Sequence, residues 1–185
     1  GPRRGLTWDL PAAERVFEYF REVLRLHSDT SMEGKPFELE PAFKFIAGSL
    51  FGWKNADGTR RYRVAYVEMG KGNAKSVLAA GIALYMLTAD GESGAQVYSA
   101  AVDKDQAKVA FHFAAGMVTK SELLSAAITK SGGKYGDETR VHNLFHRKSG
   151  SYFRPLSSDS RGSGKSGFLP HCVILDELHE HPTGA

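Results

Sequence analysis

The chain has 185 residues, 42% of them hydrophobic and 24% charged, so it is long enough for one sizeable core and has the composition of a globular protein. Its 24 Lys and Arg residues barely exceed its 21 Asp and Glu residues, which permits a phosphate- or DNA-binding patch without requiring one. A single cysteine, Cys172, excludes a framework of internal disulfides, and no apolar stretch approaches the roughly 20 residues that span a bilayer. Because the start of the chain also lacks an apolar signal-peptide core, these features predict a cytoplasmic protein.

Hydrophobic periodicity predicts two helices in residues 1–60. The first begins around Pro11, is capped by Asp9 or a neighbour, and continues to His27. A second, shorter helix begins near Pro41. We therefore expect residues 1–60 to form an N-terminal helical segment that leads into the rest of the chain.

Strands and helices alternate through residues 61–185. After a turn at residues 55–58, the β-rich run at 62–67 predicts a strand, and the apolar stretch at 77–87 predicts a buried helix. The pattern then predicts a strand at 94–101, a helix capped by Asp103 that runs to about Val118, a hairpin of residues 139–147 and 151–156 turning at 148–150, and a last strand at 171–175. Such alternation predicts an α/β fold with a mostly parallel sheet that helices cover on both faces.

Residues 70–76 lie between a predicted strand and a predicted helix, the setting of a phosphate-binding loop (P-loop). Phosphates need several converging backbone N–H groups, and a tight loop at a helix N-terminus supplies them. Lys75 would reach the β- and γ-phosphates, and the Ser76 hydroxyl would bind Mg²⁺. The match is imperfect, because the P-loop pattern requires glycine where this chain has Met69 and Ala74. The predicted ATP-binding residues are Gly70, Lys71, Gly72, Asn73, Ala74, Lys75 and Ser76.

A second segment, Gly-Ser-Gly-Lys-Ser at residues 162–166, is closer to the P-loop pattern in its letters alone. However, Asp159 stands where the first glycine is required, and the following residues, with Pro170, cannot begin a normal helix. We interpret this segment as a flexible basic loop.

The predicted strand at 171–175 ends in Asp176 and Glu177. A strand delivers such carboxylates to the C-terminal edge of a sheet, where ligands of α/β proteins bind. Asp176 would hold Mg²⁺, directly or through water, and Glu177 would polarise the attacking water. An acidic pair after a strand is also a common helix cap. Lys75 and Ser76, about 100 residues upstream, favour the interpretation as a nucleotide site.

These residues resemble the large terminase subunits of tailed phages, the ATPases that drive DNA into capsids. The Asp-Glu-Leu-His-Glu sequence at 176–180 and Asp-Gln-Ala at 105–107 are the more specific parts of the resemblance. It also includes Leu-Phe-Gly-Trp at 50–53, Arg-Arg-Tyr-Arg at 60–63, the loop at 71–76 and Val-Tyr-Ser-Ala-Ala at 97–101.

The resemblance implies a three-layer, RecA-like P-loop ATPase core, followed in the family by an RNase H-like nuclease domain. That nuclease would lie beyond Ala185, so we expect residues 61–185 to be an incomplete ATPase core truncated after the strand that carries Asp176. The resemblance assigns the phosphate-binding lysine to Lys75, the Mg²⁺ ligands to Ser76 and Asp176, and the catalytic base to Glu177.

The resemblance also suggests two further basic residues. Lys71 occupies a place near the γ-phosphate where the family often has arginine. Arg161 lies where some terminases supply an arginine finger to the neighbouring subunit, although an exposed arginine in a polar loop is more often only solvated. The family tends to have Pro-Trp-Gln near the adenine, and the matching stretch here ends in Phe43, a candidate for stacking or for a plain core role.

The partners implied are double-stranded viral DNA, the portal protein and the small terminase subunit, with ATP as substrate and Mg²⁺ as cofactor. The motor would be a homo-oligomeric ring in the cytoplasm of the infected bacterial host, without a membrane. Because the finger must come from a neighbour, we expect this chain alone to be mostly monomeric and slow in ATP hydrolysis.

Two alternatives remain open at this point. Asp-Glu-Leu-His at 176–179 also fits a helicase-like ATPase, which RNA-stimulated unwinding by a full protein would favour. A non-enzymatic module that binds DNA or capsid proteins is the other alternative; Ala74 favours it, and so would a folded chain that binds no nucleotide.

Overall fold

The computed structural model describes residues 5–28, 30–101, 104–132, 140–156 and 169–176, with the backbone alone for residues 104–107. Its α-helices are α1 (Leu10–Glu18), α2 (Pro41–Gly52), α3 (Lys75–Thr88), α4 (Lys104–Lys120) and α5 (Glu122–Ala127). Its strands are β1 (Thr7–Trp8), β2 (Trp53–Lys54), β3 (Gln96–Ala100), β4 (Ile128–Ser131), β5 (Asn143–His146), β6 (Ser151–Leu156) and β7 (Pro170–Leu175).

The larger sheet of the described residues has five strands in the order β4-β5-β6-β3-β7. Strand β3 runs parallel to both β6 and β7, whereas β5 runs antiparallel to β4 and β6. All the strands of this sheet except β5 therefore point in one direction. The predicted α/β class with a mostly parallel sheet is confirmed, and β7 forms one edge of the sheet in the described part of the chain.

Helices α3 and α4 pack side by side on one face of this sheet. Val97 and Phe153 are buried in that interface, and the Phe153 ring lies 5.1 Å from the ring of Phe111 in α4. We expected helices on both faces. Within the described ranges they cover this face, because the β5–β6 connection is a hairpin and contributes no helix. On the opposite face, Val173 and Leu175 of β7 are 45% and 54% exposed.

The N-terminal helices pack on the outer side of α3. Tyr19 and Phe51 each make a T-shaped ring contact with Tyr85 of α3, with centroid distances of 5.3 and 4.8 Å. Gly81 permits this close approach, since a Cβ atom there would lie 2.5 Å from the Phe20 ring. One hydrophobic cluster consequently contains residues from the first two helices, from α3 and α4, and from the sheet.

The first helix begins as predicted but ends earlier. Asp9 caps it, its carboxylate accepting a hydrogen bond of 3.0 Å from the Ala12 N–H. The chain then forms a π-helical turn at Tyr19–Val23, after which Leu24 adopts an extended conformation. Leu24 is fully buried although it lies after the helix. Its apolar side chain therefore fits the helical spacing of the sequence, which is why the predicted helix was too long.

The β-rich run at residues 62–67 is not a strand, contrary to the prediction. It pairs with no strand in the described part of the chain, and its Val64 and Tyr66 side chains are 86% and 73% exposed. The β propensity of a residue largely reflects packing on a pleated surface, so an unpaired run gains little from it.

The other predicted elements are present with bounds that shift by a few residues: α2, α3, β3, α4, β7 and the β5–β6 hairpin. The predicted cap Asp103 lies outside the described residues. The antiparallel β1–β2 pair, α5 and β4 were not predicted. Strands β1 and β2 have two residues each, α5 is shorter than two helical turns, and β4 depends on its pairing with β5. No helix within the described ranges combines the length and apolar character that a membrane crossing requires.

Candidate nucleotide-binding site

A tight loop with two left-handed residues leads into α3. Gly72 has a φ of +86°, and Ala74 has a φ of +53° and a ψ of 28°. Ala74 is the one non-glycine residue with positive φ in the described ranges, and it is the N-cap of α3. Helix α3 therefore begins at Lys75. The strand predicted at residues 62–67 is missing, whereas the predicted helix does follow the loop directly.

Two side chains of this region donate hydrogen bonds to carbonyl oxygens at the start of the loop. Lys75 Nζ lies 2.7 Å from the Met69 carbonyl oxygen, and Asn73 Nδ2 lies 3.0 Å from that of Gly70. Residues 70–74 are exposed, so an anion has access to the loop. Because the first N–H groups of a helix lack intrahelical acceptors, they give this end of α3 a partial positive charge.

The Ser76 hydroxyl donates to Asp176 Oδ2 across 2.7 Å, although the two residues are 100 positions apart in the chain. Asp176 directly follows β7, and its N–H donates to the Ala100 carbonyl at the end of β3 (3.2 Å). Since β3 and β7 are parallel, their carboxyl ends lie at the same edge of the sheet. The structure thus brings together one residue from each of the two motifs that the sequence singled out.

The oxygen atoms of Ser76 and Asp176 are suitable ligands for Mg²⁺. This ion prefers hard oxygen ligands and commonly uses one or two protein groups together with phosphate oxygens and water. The pair therefore fits the magnesium site that the resemblance implies. Among the described residues there is no cluster of three or more His, Cys, Asp or Glu side chains that could hold a metal.

Two predicted site residues, Glu177 and Arg161, lie outside the described ranges, as does the basic loop at 162–166 that was rejected as the P-loop. Lys71 is described and is exposed in the loop. Phe43 is only 8% exposed and belongs to the hydrophobic cluster, which favours its core role over contact with an adenine.

Cys172 lies in β7, four residues before Asp176, and packs against the hydrophobic cluster. Burial raises the pKa of its thiol to about 12. Because the thiolate is the reactive form of cysteine, this shift disfavours a nucleophilic role at neutral pH. Its role is packing, as its apolar neighbours in the sequence predicted.

A charge network at the other end of β7 was not predicted. The Asp90 carboxylate, which follows α3, lies 2.7 Å from His171 Nε2 and 3.0 Å from Arg60 Nη1. The Arg60 guanidinium also lies over the Phe51 ring, 5.5 Å from its centroid. These residues are far apart in the sequence and form no local motif, so only the fold reveals them.

The carbonyl contacts of Asn73 and Lys75 were missed for a related reason, because a sequence does not show backbone acceptors.

Comparison with known proteins adds independent information. The family model described as "Terminase large subunit, ATPase domain" matches residues 41–184. Among solved structures, the large terminase of bacteriophage HK97 is similar, with 23% sequence identity and a TM-score of 0.68 over 88% of this chain. This chain spans about 30% of the length of that protein. A search among curated proteins gave no match.

Proposed function

Since the chain belongs to the family of terminase large-subunit ATPase domains, we propose that it binds Mg·ATP at residues 70–76 and hydrolyses it to support phage DNA packaging. The family supports an ATPase role in packaging, and the similar fold of the HK97 terminase is compatible with a RecA-like core. Binding at this loop, the metal ligands and the catalytic residues are the parts that we propose.

The observation that carries the proposal is the hydrogen bond of 2.7 Å between Ser76 and Asp176. It places the start of α3 beside the end of β7, so that a lysine, a hydroxyl and a carboxylate surround one exposed loop. A Mg·nucleotide needs these three groups at one place. Neither motif alone has this specificity.

Each side chain has a distinct role in this proposal. Lys75 exchanges its present acceptor, the Met69 carbonyl, for oxygens of the β- and γ-phosphates. Ser76 and Asp176 hold Mg²⁺, the ion that neutralises the negative charge of the phosphates when it is bound. The backbone N–H groups of the loop and of the first turn of α3 complete the phosphate site.

Two further roles rest on the resemblance. Glu177 orients and polarises the attacking water, because it directly follows the metal ligand Asp176. Arg161, supplied by a neighbouring subunit, stabilises the charge of the transition state, and Lys71 contributes positive charge near the γ-phosphate. In this proposal the chain alone lacks the neighbour's arginine and hydrolyses ATP slowly.

At the level of the whole terminase, we propose that hydrolysis drives double-stranded viral DNA into a capsid in the cytoplasm of the infected bacterium. The subunits form a homo-oligomeric ring that works with the portal protein and the small terminase subunit. Contacts with DNA are mainly to phosphates, so binding weakens as the salt concentration rises.

Calorimetric titration with Mg·ATP tests the proposed site. We expect Lys75→Ala to bind about 10- to 100-fold more weakly than the wild type, because it removes a charged hydrogen-bond donor to phosphate. Lys165→Ala is the matched control, since it removes the lysine of the other Gly-Lys-Ser segment, and it should leave the affinity unchanged.

Two results would contradict the proposal. Loss of binding with Lys165→Ala instead of Lys75→Ala would move the phosphate site to residues 162–166. A folded wild-type chain that binds no Mg·ATP would favour the non-enzymatic alternative, for which Ala74 in place of the P-loop glycine is the supporting observation.

A further inference from the structure

Two tight turns of this chain are closed in different ways. In the turn that begins at Asn55, the Gly58 backbone N–H donates to the Asn55 carbonyl (2.9 Å), the usual bond between the first and fourth residues. In the turn that begins at Gly70, the fourth residue is Asn73, and its side-chain amide makes the corresponding bond to the Gly70 carbonyl (3.0 Å). The side chain of Asn73 thus takes the place of its own backbone N–H.

Because the side-chain amide closes the turn, the backbone N–H of Asn73 stays available as a donor in the loop. Within the described part of the chain, the Asn73 N–H donates to no backbone acceptor. The residues on either side, Gly72 and Ala74, are both left-handed, with φ values of +86° and +53°. Successive backbone N–H groups in a tight turn form a concavity that binds anions.

A side chain at the first position of the turn would crowd the Asn73 amide. A Cβ atom at residue 70 would lie 3.3 Å from Asn73 Nδ2, which is tighter than most Cβ contacts. Glycine at this position therefore lets the amide approach its acceptor without displacement. Gly70 and Asn73 act as a pair.

We propose that Asn73 is a positioning residue of the nucleotide site: its amide maintains the shape of the loop, so that its backbone N–H binds a phosphate oxygen. The inference rests on the proposed function, since it concerns the same loop. It assigns to Asn73 a role distinct from those of Lys75 and Ser76, because the Asn73 side chain touches the loop and only its backbone touches the ligand.

The test compares Mg·ATP binding by Asn73→Ala and Asn55→Ala with binding by the wild type. We expect Asn73→Ala to weaken binding about tenfold, the effect of one lost hydrogen bond at the upper end of its usual range. Asn55→Ala removes another turn amide, which bonds to Thr59 Oγ1 (3.0 Å) away from this loop, and should change the affinity less than twofold. Inorganic tripolyphosphate with Mg²⁺ should show the same ratio between variants, because the proposed contact involves phosphate alone.

A second measurement distinguishes positioning from a merely structural role. In ¹⁵N–¹H correlation spectra of the wild-type chain, the backbone amide signal of residue 73 should shift when Mg·ATP is added, and that of residue 55 should not. Two results would overturn this inference and leave the proposed function standing. One is an Mg·ATP affinity of Asn73→Ala within twofold of the wild-type affinity; the other is a backbone amide signal of residue 73 that does not shift. If the folded wild type binds no Mg·ATP, the proposed function fails and this inference fails with it.

Discussion

Ala74 holds a backbone conformation that is costly for a residue with a Cβ atom. At φ +53° and ψ 28° it lies in the left-handed helical region, which costs an L-residue roughly 1 to 2 kcal/mol. The P-loop pattern has glycine at this position, and glycine adopts the same conformation without that cost. The fold therefore tolerates this conformational cost at Ala74.

We expect Ala74→Gly to stabilise the chain. The substitution removes the left-handed strain, and this gain exceeds the cost that comes from the greater entropy of glycine in the unfolded chain. The free energy of unfolding should therefore rise by about 1 kcal/mol. For a domain of this size, this corresponds to a rise of about 2 to 4 °C in Tm, measured by calorimetry.

Ala79→Gly is the matched control, because it makes the same substitution inside α3, where the backbone is helical. It should destabilise the chain by about 1 kcal/mol. If both variants lower Tm, Ala74 does not carry the strain that its conformation indicates.

At the scale of single elements, Glu33 connects the loop before α2 to the end of α4. Its carboxylate lies 2.8 Å from Lys120 Nζ and accepts a hydrogen bond of 2.6 Å from the Ser28 N–H, with His27 Nδ1 at 3.4 Å. The Lys120 contact is the main reason that the pKa of Glu33 falls to about 2, and the Ser28 and His27 contacts lower it further. The unfolded chain therefore binds more protons than the folded chain between about pH 2 and the ordinary value of 4.5.

This depressed pKa predicts how stability depends on pH. The contribution of Glu33 is fully present above about pH 4.5 and is lost as the pH falls towards 2. Glu33→Gln should therefore flatten the decline in the free energy of unfolding across this range, as measured by urea unfolding at a series of pH values. Glu22→Gln alters an exposed pair with Arg21, in which the side chains are 63% and 54% exposed, and should leave the slope unchanged. Equal slopes for the wild type and Glu33→Gln would refute the prediction.

The elements that the sequence predicted correctly are those whose apolar pattern is complete within one stretch of the chain. Helix α3 is apolar around its circumference, and β7 is a short apolar run, so both are visible without knowledge of their neighbours. The run at 62–67 has equally strong local propensity, but a strand exists only where another strand pairs with it. The same dependence on partners explains why β4 and the β1–β2 pair were missed.

At the scale of the whole molecule, Asp90 connects parts of the chain that the sequence separates. Its carboxylate is 13% exposed and pairs with Arg60, which follows β2, and with His171, at the start of β7. The network therefore joins the end of the N-terminal segment, α3 and the edge of the sheet. It supplements the hydrophobic cluster that contains residues from all of these parts.

Asp90→Ala should lower the free energy of unfolding by about 2 to 3 kcal/mol, because Arg60 and His171 lose a charged hydrogen-bond acceptor in a largely buried place. Since one core joins the connected parts, we expect a single unfolding transition in guanidinium chloride. Glu92→Ala removes the same charge at an exposed position two residues away and should change stability by less than about 0.5 kcal/mol. A second transition in Asp90→Ala would show that the parts unfold independently.

The candidate site was predictable to the extent that its motifs are local. Lys75, Ser76 and Asp176 were selected by residue type and spacing, and the structure places Ser76 and Asp176 in contact. The acceptor of Lys75, the turn-closing amide of Asn73 and the conformation of Ala74 depend on backbone geometry that residue types do not specify. The roles of Glu177 and Arg161 stay predictions.

The contact between Ser76 and Asp176 closes a loop of 100 residues, and this separation links the site to folding. An unfolded chain very rarely brings two such distant groups together, because closing so long a loop costs entropy. At the proposed site a nucleotide would need both groups, so it would bind the native state and have little affinity for the unfolded one. By mass action it would add about 2.7 kcal/mol to the stability at a concentration 100 times its Kd. For this chain, nucleotide would be a folding ligand as well as a substrate.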